Sequence, residues 1–419
     1  MAEWKRTSPV RRDGNGVRWA DAGRLLGVLT LLLGGTWMVA AGAAQASQTG
    51  RAAGSAWKVE PTPNQNRDAA ATNELSAVSC TSGRACTAVG SHAASLSSTG
   101  FPLAERWNGT RWRIQRTVLP TGAKSGGLVG VSCPSATACT AVGSTPGTTP
   151  DTSVNLAESW NGTSWRVQAV PAPKGSTSSL LSGVSCTSPN ACTAVGNYGT
   201  AAGRVLAVAE RWNGTTWRIQ AVPKPASTQL FGVSCSAARA CTAVGYHTGT
   251  GGTRPLAEAW NGTRWHLQAV PLPSASAGSS GGMLAAVSCT SPRACTATGA
   301  NFSATHPTLA ERWNGTRWRV QRTPSPANCS TSQQAPELNS VSCASAMACT
   351  ASGAYAPGGH SAYFLEAWNG RSWRLVTAPH PAGFLSGAVN GVSCVLARCT
   401  AVGAWSGGPI FIATLAMAN

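Results

Sequence analysis

Short runs of alternating apolar and polar residues, separated by turn residues, fill the chain from about Trp57 to its C-terminus. Alternation of this kind predicts half-buried β-strands, and no sustained helical period competes with it. The runs come in sets of four. In the first set they are Leu75–Cys80, Ala85–Gly90, Leu103–Trp107 and Trp112–Gln115. The first two meet through a tight Thr81-Ser82-Gly83-Arg84-Ala85 connection beside a cysteine pair, which reads as a stapled hairpin. The last two meet through Asn108-Gly109, and Asn-Gly between strand-like runs predicts a type I′ turn because both residues tolerate positive φ. In that second hairpin Leu103, Glu105, Trp107, Trp112 and Ile114 share one face, and Ala104, Arg106, Arg111, Arg113 and Gln115 share the other. One face is therefore apolar except for a single glutamate.

The set recurs seven times. Its pattern is V-S-C, five residues, C-T-A-V-G, a variable stretch, then L-A-E-x-W-N-G-T-x-W-R-x-Q. The first cysteines are Cys80, Cys133, Cys186, Cys235, Cys289, Cys343 and Cys394, spaced by 49 to 54 residues. A period of that size signals repeat architecture. The two inner runs of each set hold mostly Gly, Ala, Ser, Val and Cys, small enough to crowd around an axis, whereas the tryptophans suit the wide outer part of a wedge. Four antiparallel strands repeated radially make a β-propeller. The seventh copy supplies Gly391–Cys394, Cys399–Gly403 and Pro409–Ala416 and then lacks its outer strand. A matching W-x-V-x-x-x-P run stands at the other end, Trp57 to Pro63, and is predicted to pair beside Ile410–Leu415. The expected fold is all-β: a seven-bladed β-propeller of four-stranded antiparallel blades, closed by an N-terminal strand that completes the C-terminal blade and leaves no open sheet edge at the seam.

Residues 1–46 stand apart from this pattern. Lys5, Arg6, Arg11, Arg12, Arg18 and Arg24 precede an apolar run from Leu25 to Ala44, and Ala44-Gln45-Ala46 is a small-x-small cleavage site. The segment reads as a signal peptide; its apolar run is also long enough for an uncleaved anchor. Residues 47–419 are then one propeller domain, secreted or held at the cell surface. Outside the cytoplasm, paired cysteines at a repeated spacing read as disulfides. Seven pairs are expected: Cys80 with Cys86, Cys133 with Cys139, Cys186 with Cys192, Cys235 with Cys241, Cys289 with Cys295, Cys343 with Cys349 and Cys394 with Cys399. Cys329 is left over. Zinc is the rival, but structural zinc favours shorter spacings and a second ligand pair.

These residues carry a resemblance. The W-N-G-T-x-W hairpin occupies the place where sialidase-type Asp-box propellers have a Ser-x-Asp-x-Gly-x-x-Trp turn, and the whole unit resembles uncharacterised tandem repeats of secreted actinobacterial proteins. It departs from the Asp box in having Asn108 and no Ser-x-Asp. It also lacks the Trp-Asp dipeptide of WD40 repeats and the glycine doublet of kelch repeats. Propellers host many functions, so the resemblance implies the fold and little else.

Catalytic readings find little to stand on. Beyond the leader only two aspartates remain, Asp68 and Asp151. The recurring glutamates, Glu105, Glu158, Glu210, Glu258, Glu311 and Glu366, occupy one equivalent position in six blades, so ring symmetry keeps them apart, whereas most glycosidases need two carboxylates on one bond. Their expected job is structural, each accepting a hydrogen bond from an indole, a backbone amide or an arginine. A sialidase-like site implies an arginine triad, a Tyr/Glu pair and a further acid at the channel mouth. No nucleophile elbow, phosphate loop or dinucleotide fingerprint is present, and no metal or cofactor is expected. The N-G-T triplets read as copied turns rather than glycosylation sites.

Function is sought where the repeat breaks. The turns inside the two hairpins of each blade lie on one face of the ring. The connections between second and third strands, and between blades, lie on the other and vary in length and sequence. All four tyrosines, Tyr198, Tyr246, Tyr355 and Tyr363, fall in or beside these variable loops, as do His92, His247, His306, His360 and His380. Binding residues concentrate on such loops, although a fixed consensus also forces unusual residues into them. Tyr198, Tyr246, His247 and Tyr355 are the candidate ligand-binding residues. The net charge of +18 is mostly arginine. Arg106, Arg111, Arg113, Arg116, Arg211, Arg218, Arg312, Arg317, Arg319 and Arg322 are expected as spokes around the rim, suited to anionic wall or membrane-surface contact or simply to solubility. Nucleic acid is not an expected partner. The reading is an exported, monomeric, non-enzymatic scaffold that binds a protein or carbohydrate. The alternatives are a diverged sialidase-like hydrolase and a purely structural envelope protein.

Overall fold

A computed structural model describes residues 56–419 except 66–67, 69, 97, 150–151, 224–226, 273–280, 303–306, 327–335, 358–359 and 408–412. Its strands form seven antiparallel sheets of four, each in sequential order except at the seam. Blade 1 comprises Thr72–Ser82, Ala85–Ala93, Phe101–Trp107 and Trp112–Gln115. The first strands of consecutive blades touch one another around the whole circuit and so line the axis.

Blade 7 closes as the split repeat requires. Its three own strands are Ser386–Val395, Arg398–Ser406 and Ala413–Ala418, and Lys58–Glu60 pairs on the outside of the last. The register is Lys58↔Ala418, Val59↔Met417 and Glu60↔Ala416, further toward the C-terminus than the expected Ile410–Leu415. Chemistry as well as position identifies this strand as the missing one. In three other blades the glutamine ending the outer strand accepts the indole N–H of the next blade: Trp217 to Gln168 at 3.0 Å, Trp318 to Gln268 at 2.9 Å and Trp373 to Gln321 at 2.9 Å. At the seam Glu60 takes the glutamine's place, accepting from Trp112 at 2.9 Å and pairing with Arg398 at 2.8 Å.

Several letters of the repeat now have reasons. In V-S-C, the serine hydroxyl of each blade accepts the cysteine N–H of the next, as Ser79 does from Cys133 at 3.0 Å and Ser185 from Cys235 at 2.9 Å. The same bond joins the remaining interfaces and returns from Ser393 to Cys80, at 2.9 Å, so the series is cyclic. The glycine of C-T-A-V-G sits opposite a bulge in the first strand, where a Cβ on Gly90 would fall 1.9 Å from the Glu74 carbonyl oxygen.

All seven expected disulfides are present. Cys80 is bonded to Cys86, Cys133 to Cys139, Cys186 to Cys192 and Cys235 to Cys241. Cys289 is bonded to Cys295, Cys343 to Cys349 and Cys394 to Cys399. They are more than staples at a hairpin tip. The second cysteine of each pair, Cys86, Cys139, Cys192, Cys241, Cys295, Cys349 or Cys399, is buried, while the first is half-buried. The cause is position: the second strand lies between two others, and its cysteine faces the preceding blade. Cys86 packs with Val402 and Ala416 of blade 7, and Cys139 with Val89 and Ala104 of blade 1. In the same direction, the threonine hydroxyl of each blade lies near the next blade's buried sulfur. Thr87 is 3.5 Å from Cys139, Thr140 3.5 Å from Cys192 and Thr193 3.6 Å from Cys241. Thr242 is 3.6 Å from Cys295, Thr296 3.7 Å from Cys349 and Thr350 3.4 Å from Cys399; Thr400 closes the series 3.8 Å from Cys86. In a disulfide only the hydroxyl can donate. These cysteines are therefore interface residues and offer no surface to a ligand. Cys329 lies outside the described residues.

The outer turn differs from expectation. Four residues, Asn108–Arg111, connect the two tryptophans, and among them only Gly109 has positive φ, at 95°. Asn108 works through its side chain: Oδ1 accepts from the Thr110 and Arg111 amides at 3.0 Å and from the Thr110 hydroxyl at 2.8 Å. The asparagine needs no left-handed backbone, because its short amide satisfies the turn directly. The flanking rings pack at a centroid separation of 5.8 Å in six blades. The second of each pair is always buried, as Trp217 is at 4% exposure.

Removing such a ring leaves a large cavity, so Trp217→Ala is expected to cost about 3–5 kcal/mol in denaturant unfolding. At the seam, Glu60→Ala should cost about 1–3 kcal/mol, while Glu60→Gln, which restores the repeat's own residue, should lose less. Thiol labelling of the unreduced protein should find at most one reactive cysteine per chain; several would overturn the seven-bond pattern.

Candidate functional site at the axial mouth

The second strand of each blade runs from the stapled hairpin toward the variable-loop face, and three candidate residues end such strands at the same register. Tyr198, His247 and Tyr355 each stand two residues beyond the glycine of C-T-A-V-G, in blades 3, 4 and 6. Tyr246 stands one residue beyond, on the opposite side of its strand. Tyr198 is 7% exposed and packs into the core of blade 3 with Leu181, Val184 and Val208. Tyr355 is half-buried against Phe364, edge to face at 5.8 Å. Tyr246 is half-buried where blade 4 meets the axis. Its hydroxyl accepts from Gln229 Nε2 at 2.6 Å, and its ring packs 5.6 Å from that of Phe231. Gln229 and Phe231 both belong to the innermost strand, Ser227–Ala237, with Phe231 at its bulge. His247 follows, half-buried between Thr228 and Arg254 in register.

Across the axis the equivalent positions carry different chemistry. One residue before the core leucine, where blade 4 has Gln229, blades 1 and 6 have Glu74 and Glu337. Blade 7 lies between them and offers Asn390 at its bulge, donating to Glu74 Oε1 at 2.9 Å and to the Leu75 carbonyl at 3.1 Å. Surrounding protein raises the Glu74 pKa, opposed by the Asn390 bond. The mouth therefore has an aromatic side on blade 4 and a carboxyl–amide side on blades 6, 7 and 1. Sequence reasoning missed Glu74 and Glu337. Their signal was their place beside the recurring leucine, four residues before the valine of V-S-C.

Of the remaining histidines and tyrosine, His92, His380 and Tyr363 serve packing, while His266 and His360 are exposed. His92 stacks on Phe101 at 5.8 Å, and His380 lies 4.8 Å from Tyr363 and 4.4 Å from Phe384. Tyr363 is buried and donates to the Pro379 carbonyl at 2.6 Å. His306 falls outside the described residues. No group of three or more His, Cys, Asp or Glu suited to a metal occurs among the described residues.

The rim needs a correction. Arg106, Arg211 and Arg312 are not free spokes. Arg106 lies over the Trp160 ring of the next blade at 4.9 Å and donates to the Ala136 carbonyl at 2.6 Å. Arg211 repeats this on Trp260 and Ala238, at 5.0 and 2.8 Å, and Arg312 lies 5.2 Å over Trp368. These half-buried guanidiniums clamp blade to blade, because the face expected to be solvated meets the neighbouring wedge.

The six repeat glutamates are fully buried. Each faces the preceding blade, and its partner depends on what that blade supplies. Glu210 accepts from Asn155 at 3.0 Å and Glu158 from the Val118 amide at 3.2 Å, while Glu258, Glu311 and Glu366 have no hydrogen-bond partner among the described residues. Burial pushes Glu105, Glu210, Glu258, Glu311 and Glu366 up to about 8 and Glu158 to about 7. They are interface acids, closer to neutral residues than to charges at moderate pH. In blade 7 the position is simply Met417.

No family model matches this chain, and no curated protein matches it. Among solved structures it is similar to YCF48 bound to D1 peptide, with a TM-score of 0.48 and 12% identity over 87% of this chain and 95% of that one. It is also similar to YCF48 from Cyanidioschyzon merolae, with a TM-score of 0.49 and 13% identity over 87% and 98%. Both are YCF48 propellers rather than sialidases, and no functional residue is carried over from either.

The raised glutamate pKa values fix a pH dependence. A carboxyl that titrates near 4.5 when unfolded and near 8 when folded favours the fold most at low pH, and this contribution is lost as pH rises through 8. The melting temperature is therefore expected to fall between pH 5 and pH 9. Glu258→Gln, neutral at both, should raise the pH 9 value by about 3 °C or more and narrow the difference.

Proposed function

We propose that the protein is an exported, non-enzymatic propeller that binds a protein or carbohydrate ligand at the axial mouth of its variable-loop face. The observation that carries this reading is the Tyr246–Gln229–Phe231 cluster facing the Glu74–Asn390 pair across the axis. Every one of these residues lies outside the repeated letters, and specific recognition needs residues that differ from blade to blade. An aromatic wall opposite amides and carboxyls is suited to a sugar ring or to a peptide with an apolar and a basic side chain. His247 and Tyr355 extend the mouth toward the loops, and buried Tyr198 supports it from behind. Seven disulfides fit an oxidising, extracytoplasmic setting, and the leader at residues 1–46 fits the export that places it there.

A sialidase-like hydrolase is the second reading, and one observation favours it: Glu74 and Glu337 at equivalent inner positions two blades apart. Against it, the seven innermost strands carry no arginine or lysine from which a carboxylate-binding triad could be built. A purely structural envelope role would leave the broken symmetry of the mouth without a purpose.

A glycan array and a cell-envelope pull-down with the disulfide-bonded protein test the proposal together. A retained ligand should lose at least about tenfold in affinity with Tyr246→Ala plus His247→Ala, as aromatic anchors dominate such sites. Affinity unchanged by these two and by Tyr355→Ala would place binding elsewhere. Turnover of a glycoside, abolished by Glu74→Gln, would favour the hydrolase.

A further inference from the structure

The stapled-hairpin face opposite the mouth breaks the repeat in its own way. Two tips per blade reach this face, one from each hairpin, except in blade 7, where only the first hairpin has a connecting turn. In blade 4 they carry exposed Arg239 and Arg264, in blade 5 Arg293 and Arg317, and in blade 1 Arg84 and Arg111. Blades 2 and 3 have Thr137, Ser164, Asn190 and Thr216 at the same places. The arginines therefore occupy an arc over blades 4, 5, 6 and 1, with Arg371 in blade 6, interrupted at blade 7, where Arg398 is half-buried and paired with Glu60. No turn on this face holds an aspartate or glutamate, and Glu60 of the closing strand is engaged by Arg398 and Trp112.

At the centre of that arc, the first-hairpin tips of blades 6 and 7 are apolar. Met347 is 59% exposed and Leu396 is 88% exposed, the most exposed large apolar side chain among the described residues. Leu396 is also the one non-glycine residue with positive φ among them, at 56°. A leucine in left-handed backbone at a turn tip is disfavoured where glycine or asparagine would sit without strain. The conformation holds an isobutyl group clear of the molecule beside a row of cations.

The chain enters the propeller at this same place. Lys58 lies opposite Ala418, which lies opposite Thr400, so the Trp57 end of the closing strand is on the hairpin-turn face in the blade that carries Leu396. Twelve residues, 45–56, link it to the apolar run Leu25–Ala44, a reach of about 40 Å when extended. While the leader is attached, its apolar run is therefore tethered to the face with cations and protruding apolar groups.

We infer that this arc is a docking surface for an anionic lipid bilayer, with Leu396 and Met347 entering the headgroup boundary and the arginines of blades 4, 5, 6 and 1 meeting lipid phosphates. The combination of a cationic field with one or two inserted apolar side chains is what interfacial binding requires. A soluble acidic polymer would use the arginines alone and would give the exposed leucine and methionine nothing to bury. The arrangement turns the axial mouth away from the lipid.

The test uses the disulfide-bonded protein from Ser47 onward, which contains every strand of the ring and lacks the apolar run. Sedimentation with vesicles containing about a quarter phosphatidylglycerol should show binding that is absent on pure phosphatidylcholine and weakens with salt. Leu396→Asn with Met347→Gln, both uncharged and at exposed tips, should weaken it at least about tenfold without lowering the melting temperature. Arg239→Glu with Arg293→Glu should weaken it similarly, and polyphosphate binding should respond to the arginine pair only. No binding to anionic vesicles would overturn the inference. So would vesicle binding that the asparagine–glutamine pair leaves intact, which would show that the arginines alone carry it and that no apolar group enters the bilayer.

Discussion

A single hydrogen bond, from the cysteine backbone N–H to the preceding blade's serine hydroxyl, sets the terms for the rest of the structure. A blade's innermost strand has its own ladder on one side only, and the amide at the half-buried cysteine would otherwise lack a partner in its own blade. The serine that satisfies it belongs to the neighbour, so no blade is complete alone. Satisfying every such amide requires the series to return to its start, and it does so between Ser393 and Cys80. The threonine–sulfur contacts, the guanidinium–indole clamps and the indole–glutamine bonds run in the same circular sense. The disulfide in each blade holds the strand of the serine and the strand of the threonine in register.

Polar contacts at these interfaces are local and mostly uncharged. The buried glutamates fit that logic when protonated, since a neutral carboxyl can sit beside alanine and leucine where a carboxylate would be expelled. Where the preceding blade supplies an amide, as at Asn155 and Val118, one oxygen is engaged; Glu258, Glu311 and Glu366 find no such donor among the described residues. Ring geometry and proton occupancy are therefore coupled six times over.

The fold was legible because repetition multiplies a weak signal. Each strand run is short, but seven copies define the blade, and the split copy defines the closure. The cysteine pairs could be matched from spacing alone, yet the burial of Cys86 and its equivalents against the preceding blade could not, because that neighbour lies some fifty residues away in the chain. The serine of V-S-C and the glutamine of W-R-x-Q were likewise visible as letters without partners. The same limit explains the misplaced Arg106: alternation separates two faces of a strand and does not say that both are covered. Asn108 was assigned a backbone role from its dipeptide, whereas the turn uses its side chain. The mouth was least legible. Tyr246 could be picked out, but Gln229 and Glu74 acquire meaning only when the axis brings their strands together.

The seam has a consequence in time. Glu60 is made early and Arg398 follows 338 residues later, yet the two must meet before the ring is whole. Blades 1 to 6 can each form their own four strands as they are delivered, while the closing strand has nowhere to bind until the last three strands arrive. The entropy of joining such distant segments grows only slowly with the length between them, so the delay costs little at equilibrium. Its effect is on order: the ring cannot close, and the Trp112 indole and the Cys80 amide have no partner across the seam, until the strands of blade 7 are made. A chain cut short before them would be left with two unpartnered blade faces.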